Sequence, residues 1–320
     1  MSTQLKKAHS KETVTVQKRS FWKTMKNQKI LYLMSIPVVI YVFIFNYLPL
    51  WGWTMAFQNY RPGRAFSEQE WVGLTHFIEL FQDDHFYLVL RNTVVMSVLL
   101  LIVGFTIPII FAVLLNELRD SLFKRSVQTI SYLPHFVSWV VVAGIVTKML
   151  STDGGVVNEI LVKARLIESP IQFMAQGELF WFILTAADLW KEMGWNSIIF
   201  LAAMAAIDPQ LYEAARVDGA SRWRRIWHIT LPGIRPTIFV ILILSIGNMM
   251  AIGFERQLLL GNSLVREYSE VLELYALNYG IGMGRYSYGT ALGIFNSLVS
   301  ITLLLIANGF FKRYSNTSVM

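Results

Sequence analysis

The sequence has 320 residues, of which 54% are hydrophobic and only 15% charged, with a formal net charge of +7 and no cysteine. This composition is too apolar for a soluble domain of such length, and it predicts an integral membrane protein. The lack of cysteine excludes disulfides, thiolate catalysis and cysteine-based metal sites.

The chain begins with a basic, polar segment, residues 1–29, which we expect to form a cytoplasmic tail. Within it Phe21 and Trp22 lie beside lysines, a combination suited to a membrane surface. The apolar segment that follows is too long for a cleavable signal peptide, and no small-residue cleavage site follows it. We therefore predict that this segment is the first transmembrane span.

Six apolar windows reach the roughly 20 residues that a helix needs to cross a bilayer. Five of them contain no charged residue: 30–48, 92–115, 126–147, 236–254 and 286–311. The other window, 179–207, contains three charged residues. The sequence therefore predicts an all-α membrane protein with six transmembrane helices. They form one membrane domain, residues 30–313, followed by a C-terminal tail, 314–320.

The charged residues of window 179–207 share one helical face. Asp188, Lys191 and Glu192 are spaced i, i+3 and i+4, and Trp195 lies one turn further along. Charges inside a span cost about 2.5–3.5 kcal/mol each, so they face a cavity or one another. One interpretation is a compensated cluster packed against a neighbouring helix or subunit. The other, compatible with it, is that this stripe, together with Trp190, Trp195 and Asn196, lines a polar path through the membrane.

The polar segment YEAARVDGASRWRRIWHITLPGIRP follows this span. Asp208, with a proline next to it, is an N-cap and first-turn pair, which predicts a short helix ending near Val217. The acidic side chains of Glu213 and Asp218 would face a partner. The arginines of the segment would anchor it at lipid headgroups.

A second short helix is predicted within the same segment. Gly219 permits a sharp turn, and Ser221 is a plausible N-cap. We expect this second helix to stop near Leu231 because Pro232 cannot continue it. Two helices at an angle would form a compact knob with a flat surface.

Further polar residues lie in or next to the last two spans. Asn248 and Asn296 are at membrane depth, where each could bond a neighbouring helix or a passing solute. Glu255 and Arg256 follow the fifth span directly and could contact the solute, an external partner protein or only solvent. These alternatives stay open from the sequence.

Basic residues are concentrated in the N-terminal tail, the loop after the second span, segment 208–236 and the C-terminal tail. Loops 49–91, 151–178 and 255–285 hold most of the acidic residues. The positive-inside rule then places both termini in the cytoplasm. Membrane topology and contact with lipid account for the net positive charge of +7, so we expect no nucleic acid partner.

The spacing Glu213-Ala214-Ala215, three residues, Gly219, nine residues, Ile229-x-Leu231-Pro232 resembles the EAA loop of permease subunits in binding-protein-dependent ABC importers. The resemblance implies a type I ABC importer permease architecture, in which loop 208–236 carries a cytoplasmic coupling helix that docks on an ATPase subunit. The residues it assigns to coupling are Glu213, Ala214, Ala215, Asp218, Gly219, Leu231 and Pro232.

Longer segments narrow the resemblance to carbohydrate importers that take up polysaccharide-derived oligosaccharides. They are FNYLPLWGWTMAFQNYRPG, NELRDSLFKRSVQTISYLPHFVSWVVVAGI, STDGGVVN and DLWKEMGWNSIIFLAAMAAIDPQLYEAARVDGA. The resemblance implies a bacterial cytoplasmic (inner) membrane location, a homologous second permease subunit, two ATPase subunits and an external solute-binding protein. A candidate sugar path would be lined by Asp188, Trp190, Lys191, Glu192, Trp195, Asn196, Asn248, Glu255, Arg256 and Asn296.

The chain lacks motifs for chemistry of its own. A phosphate-binding loop needs G-x-x-x-x-G-K-[ST], and no Gly-Lys pair occurs. The five histidines form no H-E-x-x-H, which argues against a metal site. We therefore expect no cofactor in this chain, with ATP and magnesium bound by the partner ATPases. Two alternatives to an oligosaccharide permease stay open. One is a permease for an amino acid, polyamine or anion, and the other is a stand-alone membrane enzyme or channel.

Overall fold

The computed structural model describes residues 28–119 and 121–315, with side chains through residue 313. The predictions for Phe21, Trp22 and nearly all of the N-terminal tail lie outside the described residues, as does most of the C-terminal tail. The chain divides into two compact units, with the boundary after Trp53.

The first unit is, in its described residues, a continuous helical segment. It contains α1 (Lys29–Val42), a π-helical turn (Phe43–Tyr47) and the start of a 3-10 segment (Leu48–Phe57). Pro37 lies inside α1 without ending it. The large apolar side chains of α1 are exposed, as suits a helix that lies in lipid.

The second unit, from Thr54 onward, carries the other elements. Its helices are α2 (Thr75–Gln82), α3 (Asp84–Glu117), α4 (Leu122–Tyr132), α5 (Trp139–Met149), α6 (Val156–Lys163), α7 (Gly177–Ala205), α8 (Pro209–Val217), α9 (Arg222–Arg225), α10 (Leu231–Gly247), α11 (Glu255–Leu260), α12 (Arg266–Ser269), α13 (Leu272–Tyr275) and α14 (Tyr286–Ser315). Short 3-10 segments are Phe66–Glu68, Leu133–Phe136 and Phe173–Ala175, and π-helical turns are Ile226–Thr230 and Ala276–Gly282.

The helical architecture agrees with the predicted class, and one small sheet adds to it. Strand β1 (Gln58–Asn59) pairs antiparallel with β2 (Glu70–Trp71), with Gln58 opposite Trp71. The loop after the first predicted span also contains a short helix, α2. The sheet and this helix lie in the same connection, so the loop is a folded structure.

Four helices in the described part of the chain are long and apolar enough to cross a membrane, and up to six spans result if each of two bent pairs counts as one. The third predicted span, 126–147, is one of the bent pairs: Leu122–Phe136 and Trp139–Met149 meet at 104°. The window predicted as one transmembrane helix is therefore two helices in the structure. Val137 and Ser138 are extended, and the Ser138 side chain caps α5, so the backbone ladder is broken between the halves.

The fifth span also differs from its prediction. The second short helix of segment 208–236 was predicted to stop near Leu231. Instead, one helix runs from Arg222 through a π-helical turn to Gly247 and includes the fifth span. In that turn the Leu231 N–H bonds to the Ile226 carbonyl, and Pro232 occupies the first turn of α10, where no N–H is needed. Residues 248–254, predicted to be helical, are not helical, and Gly253 has a φ of +81°.

Close backbone approaches at glycines help to hold the second unit together. A Cβ on Gly194 of α7 would lie 2.1 Å from the carbonyl oxygen of Ser131 in α4. A Cβ on Gly289 would lie 2.7 Å from the Cα of Gly280. Lipid chains are as apolar as leucine, so tight packing at small residues contributes to helix association in a membrane.

Buried polar groups fasten the connection between α10 and α14 to α3. The Asn92 side chain donates to the carbonyls of Glu267, at 2.8 Å, and Glu270, at 3.0 Å. The Leu272 N–H donates to Thr93 Oγ1 at 2.9 Å. Since Asn92 and Thr93 are fully buried, these bonds replace water for both partners and fix the position of the connection.

The Glu270 carboxylate is the centre of a buried charged network, with a side chain only 1% exposed. It is bonded by His85 Nε2 at 2.8 Å, Asn278 Nδ2 at 3.0 Å and the guanidinium of Arg266 at 3.2 and 3.3 Å. Burial raises the pKa of Glu270, but the hydrogen bonds from Arg266, Asn278 and His85 outweigh it and hold the pKa below the ordinary 4.5.

We expect Glu270→Gln to destabilise the protein by about 2 kcal/mol at neutral pH, because charge-assisted hydrogen bonds are lost. The folded-state pKa lies below 4.5, so the ionised group stabilises the fold above 4.5, and this contribution is lost as pH falls through the folded-state pKa. The prediction is checked by measuring the melting temperatures of the unmodified protein and the Glu270→Gln variant in detergent, from neutral pH to below pH 4.5. The gap between them should shrink in acid; a constant gap would contradict it. The exposed neighbour Glu267→Gln serves as the control.

Candidate coupling surface and translocation path

The helix predicted after the fourth span is confirmed as α8, whose first residue is Pro209 and last is Val217. The Asp208 side chain accepts from the Gln210 N–H at 2.9 Å, so the N-cap is made as predicted. α8 turns away from α7 by 71°. A helix cap and a sharp bend thus present α8 as a separate short element at the end of the long apolar helix.

Gly219 ends α8 in the left-handed conformation, with a φ of +74°. The Ala220 N–H bonds to the Ala215 carbonyl at 2.8 Å and the Gly219 N–H to the Arg216 carbonyl at 3.1 Å. These two bonds form a Schellman motif, which favours glycine at this position. The Ser221 side chain then caps α9 through the Arg224 N–H, as the sequence predicts.

The surface of α8 is available to a partner. Glu213, Ala214 and Asp218 are exposed, and Ala215 is half-buried. Within the described residues neither Glu213 nor Asp218 takes part in an ion pair shown by the structure. The Tyr212 hydroxyl lies 3.0 Å from Thr230 Oγ1. This contact ties α8 to the turn just before α10.

Leu231 and Pro232 are placed differently from the α8 residues. Leu231 packs against the buried cluster that contains Ile226 and Ile234, whereas Pro232 is exposed. Both lie at the start of α10, directly after Thr230, whose side chain contacts Tyr212 of α8. Of the residues predicted for coupling, those of α8 and the turn at Gly219 are on the exposed surface, apart from the half-buried Ala215.

A cavity of about 480 Å³ with a mixed polar and apolar lining, here called the central cavity, lies beside the middle turns of α3 and α7. Five of the predicted path residues line it: Asp188, Trp195, Asn196, Asn248 and Arg256. Its other lining residues include Ser97, Gly104, Phe105, Phe200 and Ser245. Polar groups, an ion pair and aromatic rings therefore meet in one cavity among long apolar helices.

Asp188 and Arg256 form an ion pair whose side chains are 14% and 18% exposed. Arg256 also donates to the Ile252 carbonyl, and its guanidinium lies 5.7 Å from the ring centroid of Trp139. Charge, hydrogen bond and aromatic face thus fix Arg256 on three sides. The charge of Asp188 is compensated, as the first interpretation of the sequence expects, while the pair also lines the cavity.

A second network orients the aromatic rim of the cavity. Lys191 Nζ bonds to Glu192 Oε1 at 3.0 Å and to the His135 carbonyl at 2.5 Å, and Glu192 Oε2 lies 2.7 Å from His135 Nδ1. The His135 ring stacks on Trp195 with centroids 4.2 Å apart and planes 1° from parallel. The Trp195 ring plane is therefore held by a chain of contacts that begins at Lys191.

A larger cavity of about 840 Å³, here called the loop cavity, lies next to the central cavity. It is lined by Trp139, Asp188, Glu192, Ile252, Gly253, Phe254, Glu255, Arg256 and Glu273. Glu255, which was predicted to be a path residue, lines this cavity and not the central cavity. Burial raises the pKa of Glu273, which faces the same space.

Three predicted path residues lie elsewhere. Trp190 lines a separate apolar pocket with Ile145 and Ile183, on another face of α7. Lys191 is buried behind Glu192 and lines neither cavity. Asn296 lies in α14, away from both cavities, and its buried Oδ1 has no hydrogen-bond partner.

Sequence reasoning missed several residues of the site. His135 and Trp139 come from the broken third span, Glu273 from the loop between α10 and α14, and Ser97 and Ser245 from otherwise apolar spans. A titratable histidine inside an apolar window was a usable signal for His135. Among the described residues no three His, Asp or Glu side chains come together as metal ligands.

A family comparison covers most of the chain. Residues 104–316 match the family described as "Binding-protein-dependent transport system inner membrane component". This match includes the loop cavity, α8, the turn at Gly219 and most of the lining of the central cavity.

Individual relatives agree with this family match. The "Polygalacturonan/rhamnogalacturonan transport system permease protein YteP" of Bacillus subtilis (strain 168) is 45% identical over 292 residues, which cover 91% of this chain and 90% of YteP. Two solved structures are each 40% identical. One, of a bacterial ABC transporter that imports the acidic polysaccharide alginate, has a TM-score of 0.84 and covers 92% of this chain and 99% of that one. The other, of the alginate transporter with a periplasmic protein bound to alginate pentasaccharide, has a TM-score of 0.86 and covers 94% and 100%.

Proposed function

The chain belongs to the family of binding-protein-dependent transport system inner membrane components, and we propose that it is the permease subunit of an ATP-driven importer of oligosaccharides. It is a transport subunit and not an enzyme. Half of the translocation pathway would lie along its central cavity. The other half would come from a homologous second permease.

The central cavity is the observation that carries this function. It brings the ring of Trp195, the amide of Asn196 and the Asp188–Arg256 pair to one surface among apolar helices. An aromatic face packs against sugar C–H groups, and fixed polar groups bond hydroxyls in an otherwise apolar environment. Such a lining suits a neutral or acidic sugar better than an apolar solute.

The substrate class follows from the relatives. YteP is named for polygalacturonan and rhamnogalacturonan, and both solved structures are of an alginate importer. We assign this chain an oligosaccharide derived from such a polysaccharide. An amino acid, polyamine or inorganic anion is not favoured, because none of these relatives is described as carrying one.

The remaining parts of the complex are also proposals. A solute-binding protein would deliver the oligosaccharide from outside, as the complex with an alginate-bound periplasmic protein illustrates for a similar chain. Two ATPase subunits would bind ATP and magnesium on the cytoplasmic side. Six spans with both termini inside would place α8 on that side, in agreement with the basic residues of loop 208–236.

In the proposed mechanism the ATPases move α8 as a rigid element. Closure of two ATP-bound subunits would displace the docked helix. α7 before it, and the continuous helix from α9 to α10 after it, would carry this displacement to the cavity. The two permeases would then rock so that the cavity opens outward and inward in turn. Glu213 and Asp218 would contact the ATPase, while Leu231 and Pro232 lie at the start of α10.

Uptake measurements test the function. Cells that express the complete transporter should accumulate a labelled pectin- or alginate-derived oligosaccharide in an energy-dependent manner, and cells that lack this subunit should not. Uptake of amino acids or polyamines by the same cells, with no oligosaccharide uptake, would overturn the assignment.

We expect Trp195→Ala to weaken solute binding in the path, because a stacking surface is lost. A stacking contact contributes about 1 kcal/mol, which corresponds to roughly a fivefold rise in KM for uptake. Uptake kinetics in proteoliposomes measure this effect. Trp190→Ala is the matched control, since Trp190 lies on the same helix but lines the separate apolar pocket. Equal changes in both variants would argue against the assigned path.

Docking through α8 can be checked by cross-linking, because the chain has no native cysteine. A photoreactive group attached at Val217→Cys should label the ATPase, since Val217 is 88% exposed at the end of α8. The control is Leu122→Cys, which is 81% exposed but lies at the start of α4. Labelling from Leu122 with none from Val217 would contradict docking on α8.

A further inference from the structure

The central cavity and the loop cavity meet at a common wall. Three residues line both of them: Asp188, Ile252 and Arg256. The Asp188–Arg256 ion pair therefore stands between the space beside α3 and α7 and the space beside the loop after α10. A solute that moves from one cavity to the other along this wall would contact the pair.

The wall is held by contacts from three directions. Asp188 belongs to α7, Ile252 to the non-helical segment 248–254, and Trp139, over which Arg256 lies, to α5. Breaking a buried ion pair without a substitute partner is costly, so the closed arrangement is stable. The wall would open only when Arg256 gains another partner.

Other carboxylates are within the same cavity. Glu255 and Glu273 line the loop cavity together with Arg256. Glu273 faces the non-helical segment, since a Cβ on Gly253 would lie 3.8 Å from its carboxylate oxygen. A shift of this segment, which lacks the regular hydrogen bonds of a helix, would let Arg256 exchange Asp188 for one of these carboxylates. The guanidinium would then keep a carboxylate partner, and the cost of opening would be that of leaving Asp188 without Arg256.

We propose that the Asp188–Arg256 pair is a gate between the loop cavity and the central cavity, and that it is closed in this structure. The proposal rests on the proposed function, in which both cavities belong to the translocation path. Arg256 is the moving part, because it is carried by the first turn of α11 directly after the non-helical segment. Asp188, in the middle of α7, is the fixed part.

Cysteine accessibility tests the gate in the assembled complex, and the chain contributes no background thiol. Ser245→Cys places a thiol in the central cavity and Glu255→Cys places one in the loop cavity. A membrane-impermeant maleimide is added from outside to cells that express the complex without solute or external binding protein. Glu255→Cys should react and Ser245→Cys should be protected. Adding Arg256→Ala to Ser245→Cys should raise its labelling rate several-fold.

Matched variants separate gating from general damage. Arg285 pairs with Glu79 and lies over Tyr288, away from both cavities, so Arg285→Ala in the Ser245→Cys background should leave labelling unchanged. Arg256→Lys keeps the charge and should leave Ser245→Cys mostly protected. Unchanged Glu255→Cys labelling and co-purification of the ATPase report whether each variant is assembled.

Two results would overturn the gate. One is full labelling of Ser245→Cys while Arg256 is present; the other is labelling that stays low when either Arg256→Ala or Asp188→Asn is introduced into an assembled complex. Since the measurement uses no oligosaccharide, it is independent of which solute is carried. A failure to transport oligosaccharides would therefore be distinguishable from a failure of the gate.

Discussion

Replacing Gly219 with valine is expected to uncouple ATP hydrolysis from oligosaccharide uptake while the protein stays in the membrane. Gly219 has a φ of +74°, and a Cβ there would meet nothing within 4 Å. The cost is therefore backbone strain, about 2 kcal/mol for a left-handed conformation, rather than a steric clash. That cost disfavours the native turn by roughly thirtyfold. Without the turn, α8 and α9 lose the angle that supports the docking surface.

Two variants make this prediction specific. Gly219→Asn should preserve coupling, because asparagine tolerates the left-handed region. Gly284→Val introduces the same kind of strain, at a φ of +70° with nothing within 4 Å of a Cβ, but in the loop before α14. It should leave coupling unchanged. Uptake and ATPase rates of reconstituted complexes provide the readout, and normal uptake by Gly219→Val would count against α8 as the mechanical joint.

Adding a single methyl group at Gly194 is expected to disrupt the packing that forms the site. The Cβ of Gly194→Ala would lie 2.1 Å from the Ser131 carbonyl oxygen and 2.4 Å from its carbon. Backbone atoms cannot rotate aside, so α4 and α7 would have to separate, at a cost of about 3 kcal/mol. The methyl group also lies next to Trp195, and the displaced α4 leads to His135. Loss of their stacking should lower uptake as well as stability.

Gly144→Ala is the matched control for this prediction. Gly144 lies within α5, and a Cβ there would meet nothing within 4 Å. Alanine is favoured over glycine in a helix by about 1 kcal/mol, so this variant should melt at the same temperature as the unmodified protein or slightly above it. Thermal unfolding in detergent compares the two. A Gly194→Ala protein as stable as Gly144→Ala would contradict the close approach of α4 and α7.

Local signals predicted α8 because the interactions that define it are local. The cap at Asp208, the left-handed turn at Gly219 and the cap at Ser221 all act within a few residues. The same reasoning failed at Pro232. A proline marks a helix end only when its missing N–H would be needed, and the π-helical turn before it removed that requirement.

Hydropathy could not reveal the break in the third predicted span. The two halves, Leu122–Phe136 and Trp139–Met149, are apolar enough to pass as a span when they are taken together. The break depends on two extended residues, Val137 and Ser138, neither of which is proline or glycine. Composition averaged over a span carries no information about such a bend.

Helical spacing located part of the site, but it could not identify partners. Asp188 and Trp195 are seven residues apart and line the same cavity, whereas Trp190 is off that face and lies in another pocket. Arg256, the partner of Asp188, is 68 residues away in sequence. Pairings of this kind follow from the packing of α7 against the connection after α10, which no local pattern records.

We propose that this chain is the oligosaccharide permease of an ATP-driven importer. ATPase activity of the complete complex in lipid, titrated with binding protein preloaded with acidic and neutral oligosaccharides, tests it most directly. We predict stimulation by one class of oligosaccharide-loaded binding protein. An intact complex whose ATPase rate does not respond to any loaded sugar would contradict the carbohydrate assignment.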